Sequence, residues 1–398
     1  MTGLPVGHLP QPFDAEFLSN PYPRYAQLRE ESAVHRVALP DGSPIWLVLR
    51  EEDVRAGLTD ARLSVNKAHS GIGYKGFSLP PALDANLLNI DPEDHQRLRR
   101  LVSKAFTARR VEDLRGSVQT AVDRLADELA SHGGGDFVST FSLPLPLMVI
   151  GDLLAVPEAD RRRFSTWVSN MLTPESRQQV KEAVENIHAF LLDLVAARRG
   201  ALGDDMLSAL IAVRDEGDQL TEDELVSLAF LLLMAGSENA QHLISAGLVT
   251  LLQRPGQVAE LRSDPGLLPE AVEELLRYAH PNQMAIRRFP TEPIEIGGTQ
   301  IPAGDTVMLC LASAHRDPER YPSPDEFDIH REDKGHLALG QGMHYCLGAP
   351  LARMEIQIAL HTLLHRFPQL DLVVPPEHLQ WRTSFRSRAL KAVPVTLR

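Results

Sequence analysis

A mainly α-helical protein with small peripheral β-sheets is what this 398-residue sequence predicts, on three observations. Apolar residues recur at helical spacing over most of the chain. One such pattern runs without a proline from Thr221 to Leu252. The strand-like runs are short and scattered, as at Ile45-Trp46-Leu47-Val48-Leu49, Ile294-Glu295-Ile296 and Ala392-Val393-Pro394-Val395-Thr396. No repeat, low-complexity tract or Pro/Gly/Ser linker divides the chain and its 29 prolines are dispersed, so one domain over 1–398 is expected.

Bulk properties exclude several classes. With 43% hydrophobic and 23% charged residues the composition is that of an ordinary globular protein, and a net charge of −13 argues against nucleic acid and anionic membranes as general partners. The opening Met1-Thr2-Gly3-Leu4-Pro5-Val6-Gly7-His8 lacks a charged region followed by an apolar core, and Leu231-Leu232-Leu233-Met234 is too short to span a bilayer. Two cysteines in so long a chain suit a reducing cytoplasm, the location expected here.

Taken in order, the elements after Ile45–Leu49 begin with a stretch, 65–90, that has neither helical nor strand periodicity and carries Gly71, Gly73, Gly76, Pro80 and Pro81. Its Gly71-Ile72-Gly73-Tyr74-Lys75-Gly76 satisfies the G-x-G-x-x-G pattern of dinucleotide sites, but no strand leads in and Phe77-Ser78-Leu79-Pro80-Pro81 follows where a helix is required, so a flap over a pocket is the better reading. Asp91-Pro92 then opens a helix whose i, i+4 spacing sets His95 and Arg99 on one face. From Asp94 to Arg110 the cations Arg97, Arg99, Arg100, Lys104, Arg109 and Arg110 gather with one acid, Asp94 itself, forming either a solvated face or a landing patch for an acidic protein. Helical patterns around Phe164 and Trp167 and from Val180 to Val195 flank a second candidate flap at Thr173-Pro174.

Thr221-Glu222-Asp223-Glu224 is a capping box opening the longest pattern, which continues through Leu225, Leu228, Leu232, Gly236, Leu243, Leu248 and Leu252. About 30 residues at 1.5 Å each make a rod about 45 Å long. Its middle is apolar almost all round, implying a central buried helix. Ala235-Gly236-Ser237-Glu238-Asn239 interrupts it with small and polar residues, costly to bury unless something needs them there. Further on, Glu274 and Arg277 form an i, i+3 pair on a helix from about Pro269 to Ala279.

The most informative stretch is Gly340-Gln341-Gly342-Met343-His344-Tyr345-Cys346-Leu347-Gly348, a glycine-rich loop presenting a cysteine just before an apolar helix that starts near Ala349-Pro350 and runs through Leu351, Met354, Ile358 and Leu363. A helix N-terminus favours ionised sulfur. One thiolate cannot close a tetrahedral zinc site, and Cys310, the other cysteine, lies in the apolar run Val307–Leu311 without CxxC spacing, which argues against zinc or an iron–sulfur cluster. A planar cofactor with four nitrogens of its own and one axial sulfur remains. A buried structural cysteine and a nucleophile paired with His344 are the alternatives.

On these residues the chain resembles the cytochrome P450 family, whose cysteine loop reads Phe-Gly-x-Gly-x-His-x-Cys-x-Gly. Leu339 stands where the family usually has Phe, keeping an apolar contact without the ring. The resemblance runs from Asn20-Pro21-Tyr22-Pro23 onward and implies haem b held by Cys346, with Leu339, Gly340 and Gly348 shaping the loop and His95, Arg99, Arg288 and His344 facing the propionates. Pro290 follows Arg288-Phe289 where Ala is common, a change tolerated at the start of an extended segment. The resemblance also makes Glu274 and Arg277 the buried ion pair that locks the segment before the cysteine loop, the scaffold of Ala314-His315-Arg316-Asp317-Pro318, in which His315 replaces the frequent Asn.

Oxygen chemistry is implied opposite Cys346 on the long helix, with Ala235 and Gly236 leaving room for O₂ and Glu238 and Asn239 ordering the water that brings protons. The family usually has Thr where Asn239 stands, and an amide is not an acid. Leu87, Leu88, Leu231, Met234, Ala235, Met284, Ile286 and Phe385 are candidate walls of an apolar pocket, each of which alone would pass for core. The implied activity is insertion of one oxygen atom from O₂ into a hydrophobic polyketide, macrolide, terpenoid or steroid. Electrons would come from NAD(P)H through ferredoxin reductase and a ferredoxin docked on the cationic helix, as in anchor-free bacterial secondary-metabolite tailoring hydroxylases. A haem-thiolate protein that binds ligand or gas without turnover, and a peroxygenase or isomerase on the same scaffold, are the competing readings.

Overall fold

The computed structural model describes residues 9–71, 79–172, 176–215 and 220–398. Helices carry most of it; the strands form two three-stranded and two two-stranded sheets, as the predicted class requires. Residues 1–8, residues 72–76 of the G-x-G-x-x-G match and the Thr173-Pro174 turn lie outside the described residues. The rest of the stretch read as one loop follows a short strand Leu63–Ser64 and holds a 3₁₀ turn Lys67–His69 and a one-turn helix Pro81–Asp84.

The chain divides into two compact units interleaved in sequence, one taking residues up to 75, 246–346 and 374–393, the other taking 76–245, 347–373 and 394–398. In the first, Val34–Ala38 and Pro44–Val48 form an antiparallel hairpin, Val34 opposite Val48, and Val307–Leu309 joins in parallel with Met308 beside Leu47. Alternation sends Val37, Ile45, Leu47 and Met308 to one apolar cluster and Val34, Val48, Val307 and Leu309 to another. A second hairpin, Ile294–Ile296 with Thr299–Ile301, turns on Gly297 and Gly298 at φ +51° and +74°, the left-handed pair that a two-residue turn demands. Leu63–Ser64 pairs with Phe289–Pro290, where Pro290 sits in a two-stranded edge as expected.

The second unit is helical, built on Pro92–Ala105, Arg115–Ser131, Pro144–Leu153, Glu158–Leu172, Arg177–Arg199, Met206–Asp215 and Ala349–Arg366. Its small sheet sets Pro394–Thr396 between Gly134–Asp136 and Asp371–Leu372. Gly134 has φ +127°, and a Cβ there would stand 2.2 Å from the Val395 carbonyl oxygen, so no larger residue fits.

The long helix is Glu222–Leu252, and the chain passes from the second unit to the first within it. Its capping box is formed: Thr221 Oγ1 accepts from the Glu224 amide at 3.1 Å while Glu224 Oε2 accepts from the Thr221 amide at 2.8 Å. No single helix among the described residues is long and apolar enough to cross a membrane.

Candidate active site

The cysteine loop is shaped by backbone conformation. Gly340 and Gly342 lie at φ +72° and +67°, and the Cys346 amide donates to the Leu339 carbonyl at 2.8 Å, closing the loop around the 3₁₀ turn Gly342–His344. A Cβ on Gly340 would approach the His344 carbonyl oxygen at 3.3 Å and one on Gly342 the Thr59 methyl at 3.0 Å, so the glycines serve both conformation and close approach. Cys346 and His344 are half-buried, and Met343 and Tyr345 on the same loop are exposed. Gly348 takes the N-cap of Ala349–Arg366, with Pro350 in its first turn.

Cys310 is a different kind of thiol. It is fully buried, accepts the Ser313 amide as the cap of a short helix, and burial pushes its pKa up to about 12. Among the described residues no three His, Cys, Asp or Glu side chains come together as a metal site. The donor set that remains is one accessible sulfur, Cys346.

Behind the loop, Arg277 is fully buried and uses all five guanidinium N–H bonds. Nε and Nη2 pair with the Glu274 carboxylate at 2.8 and 2.7 Å; Nη1 donates to the carbonyls of His315 and Pro324, and Nη2 also to that of Glu326. Glu274 is shared: Arg331 Nε donates to it at 3.1 Å and the Asp328 amide at 3.0 Å. The structure thus brings together the predicted pair and adds Arg331, which nothing in its spacing revealed. His315 extends the network, its Nε2 accepting the Leu337 amide at 3.0 Å two residues before Leu339. Burial, with His336, His280 and the cations Arg277 and Arg316 nearby, holds His315 well below the usual histidine pKa, so it is neutral and Nε2 can accept. Arg288 is buried and exchanges backbone hydrogen bonds with Val307 at 2.9 Å.

In the second unit, Asp91 occupies the N-cap of Pro92–Ala105 with Pro92 first, although its carboxylate makes no capping bond. His95 is 1% exposed and Arg99 half-buried. The cationic segment is smaller than its sequence implies. Arg97 pairs with Glu224 as well as Asp94, and Arg110 lies 3.8 Å from Asp204, leaving Arg100, Lys104 and Arg109 exposed.

On the long helix, residues 225–231 and 240–251 are buried, yet Ala235 between them is exposed and Met234, Glu238 and Asn239 are partly so. These four share one face at i, i+1, i+4 and i+5. An exposed alanine in the middle of a buried helix marks the face it presents as open space. At Gly236 a Cβ would meet Ile150 Cδ1 at 2.8 Å, so its missing side chain accommodates Ile150. Of the candidate pocket residues, Leu88, Ile286 and Met234 are partly accessible and Leu87 and Leu231 are buried. Met284 lies in the core cluster of Phe13, Tyr25 and Leu47, with Phe385 packed on its edge.

A family model for Cytochrome P450 matches residues 162–377. The cytochrome P450 monooxygenase PikC of Streptomyces venezuelae is 46% identical over 96% of this chain and 92% of its own. The chain belongs to the cytochrome P450 family. The 6-deoxyerythronolide B hydroxylase of Saccharopolyspora erythraea is a further P450 relative, 42% identical over 94% of this chain and 96% of its own. Among solved structures, that of the tirandamycin C-bound P450 monooxygenase TamI superposes with a TM-score of 0.91 at 40% identity, covering 98% of this chain and all of the other. The chain is thus a P450 monooxygenase by descent, and its residues fit the family's haem. Cys346 is the one accessible thiol, in a chain without a competing multidentate metal site among its described residues, and it sits on a glycine-shaped loop at the start of a helix, an arrangement that suits a single axial sulfur.

Proposed function

We propose that this P450 inserts one oxygen atom from O₂ into an apolar small molecule of polyketide or macrolide type, with NAD(P)H-derived electrons delivered by a ferredoxin and its reductase. Cys346 would ligate the iron of haem b through sulfur, and His95, Arg99, Arg288 and His344 would hold the propionates through charge-assisted hydrogen bonds. When bound, the haem supplies the activation of dioxygen. The chain's own contribution is to position substrate, exclude bulk water and deliver protons. The observation that carries the reading is the open face at the centre of the long helix, where Ala235 leaves space and Glu238 and Asn239 stand at its edge.

Glu238 is the acid able to pass a proton to water on that face, and Asn239 orders that water by its amide without supplying a proton itself. Leu88 and Met234 would form apolar walls, and the names of the relatives, which include a 6-deoxyerythronolide B hydroxylase, support a hydrophobic small-molecule substrate. Exposed Arg100 and Lys104 would receive the acidic ferredoxin. Because Asn239 cannot act as an acid, direct use of peroxide is the second reading.

The first test is the reduced carbon monoxide difference spectrum of the wild type and of Cys346→Ser. A strongly red-shifted Soret band lost in the variant supports the reading, and its absence from haem-supplied wild type overturns it. Apolar macrolides offered with ferredoxin, reductase and NAD(P)H, or with peroxide alone, then decide between the two oxygen sources by which mixture yields oxygenated product.

A further inference from the structure

The long helix holds a second ionisable group that the proposed proton delivery does not use. One turn beyond Glu238, His242 is only 2% exposed, and its Nε2 lies 3.7 Å from Glu238 Oε1. That nitrogen has no hydrogen-bond partner among the described residues. A leucine would fill the site without leaving a buried ring nitrogen unmatched, so packing alone gives no reason for an imidazole there. The distance is that of an ion pair and is longer than a hydrogen bond, but a glutamate has three side-chain torsions and can close it by a change of rotamer. The Glu238 side chain is 30% exposed and stands between two environments, the accessible face with Ala235 and Asn239 and the buried Nε2 of His242.

We propose that His242 is the positioning residue of Glu238, holding its carboxyl in an inward rotamer from which it swings to the open face. This rests on the monooxygenase reading of the site. An imidazole suits the task because Nε2 donates to a carboxylate in one tautomer and accepts from a protonated carboxyl in the other, so the inward position serves Glu238 before and after it gives up a proton. Asn239, beside Glu238 in sequence, hydrogen-bonds but cannot carry the proton, which leaves the placement of Glu238 as the determinant of proton supply on that face.

The pairing is tested without turnover by long-range ¹⁵N–¹H correlation of ¹⁵N-histidine-labelled protein in the diamagnetic ferrous carbon monoxide form. The His242 signal is identified by its loss in His242→Gln. Glu238→Gln is expected to move the His242 Nε2 resonance, and an unmoved resonance overturns the proposal. In turnover, His242→Phe is expected to lower product formed per NAD(P)H by roughly tenfold, with the oxygen consumed appearing as peroxide. His242→Gln, which keeps a donor and an acceptor, restores most of it. Equal values for the Phe and Gln variants, or a Phe variant matching wild type, overturn the proposal. A wild type that forms no oxygenated product sinks the monooxygenase reading instead, while the NMR comparison still decides whether His242 and Glu238 are partners.

Discussion

Replacing Arg277 by alanine removes more than one charge. The guanidinium is fully buried with all five donors engaged, so the variant loses a bidentate pair to Glu274 and three bonds to backbone carbonyls. Glu274 keeps Arg331 and the Asp328 amide, and the Glu326 carbonyl keeps Arg331, but the carbonyls of His315 and Pro324 lose the donor they have. Breaking a buried pair costs about 3–5 kcal/mol, and each stranded carbonyl adds about 1 kcal/mol or more. A total near 5 kcal/mol is a third or more of the roughly 5–15 kcal/mol that holds a typical domain folded, a fall in Tm on the order of 10 °C. The damage falls on the segment that carries His315, Leu337 and then the cysteine loop, so the variant should also purify without a haem Soret band. Differential scanning calorimetry and the absorbance spectrum measure both. An Arg277→Ala holoprotein with an ordinary spectrum and a Tm within about 2 °C of wild type would refute the reasoning. The double variant Glu274→Leu/Arg277→Met separates the causes. Apolar replacement of a simple buried ion pair is often harmless, but here Arg331 keeps its carbonyl acceptors and loses its counter-charge, and the carbonyls of His315 and Pro324 lose their donor, so the double variant should stay destabilised.

Three further outcomes follow from the same structure. Gly236→Ala should lose about 1 kcal/mol through the contact with Ile150, because overpacking outweighs the helix-propensity gain, and Ile150→Val should relieve it with a favourable coupling of about 1 kcal/mol in a thermal-unfolding cycle; strict additivity would show that Ile150 moves aside freely. Neutralising Arg100 and Lys104 together should slow ferredoxin-driven reduction and flatten its salt dependence in stopped flow, while neutralising Arg97, already engaged by Glu224, should do so less. Glu355 is buried, and its Oε2 has no hydrogen-bond partner among the described residues; burial raises its pKa from 4.5 to about 8, so the folded state binds a proton that the unfolded state has released, and its contribution is fully present below pH 4.5 and is lost as pH rises to 8. Glu355→Gln should therefore gain stability relative to wild type between pH 5 and 8 in urea titrations, and parallel pH curves for the two proteins would show the carboxyl is not held protonated. His280, pushed down to about 3 by burial, works in the other direction, since the unfolded state takes up a proton first and stability is lost as pH falls below 6.5.

What the sequence made legible is what local chemistry determines. The capping box and the long helix could be read because their determinants lie within a few residues of one another, and the glycine loop around Cys346 because left-handed backbone leaves a compositional mark. The Glu274–Arg277 pair was visible as a spacing, but its real acceptors are backbone carbonyls and its third member is Arg331, which reaches Glu274 from far along the chain. The cationic helix was misjudged in extent for the same reason, since Glu224 is 127 residues away from Arg97. The close approach of Ile150 to Gly236 comes from another helix, and no pattern within the long helix encodes it.

His242 is the instructive omission. A lone histidine on an apolar helix face reads as core, and by burial it is core. The signal that could have found it is its place one turn after the only acid in the middle of the helix, where a buried ring nitrogen needs a partner and Glu238 lies 3.7 Å away. An unmatched polar atom in a closely packed interior is a cost that the buried hydroxyls of the same helix avoid by hydrogen bonding: Ser237, Ser245 and Thr250 donate to carbonyls of the preceding turn, and Ser227 accepts from Asn86. The helix accepts that cost beside the open face, one turn from Glu238 and Asn239, and this coincidence points to chemistry and not to packing as the reason for the imidazole.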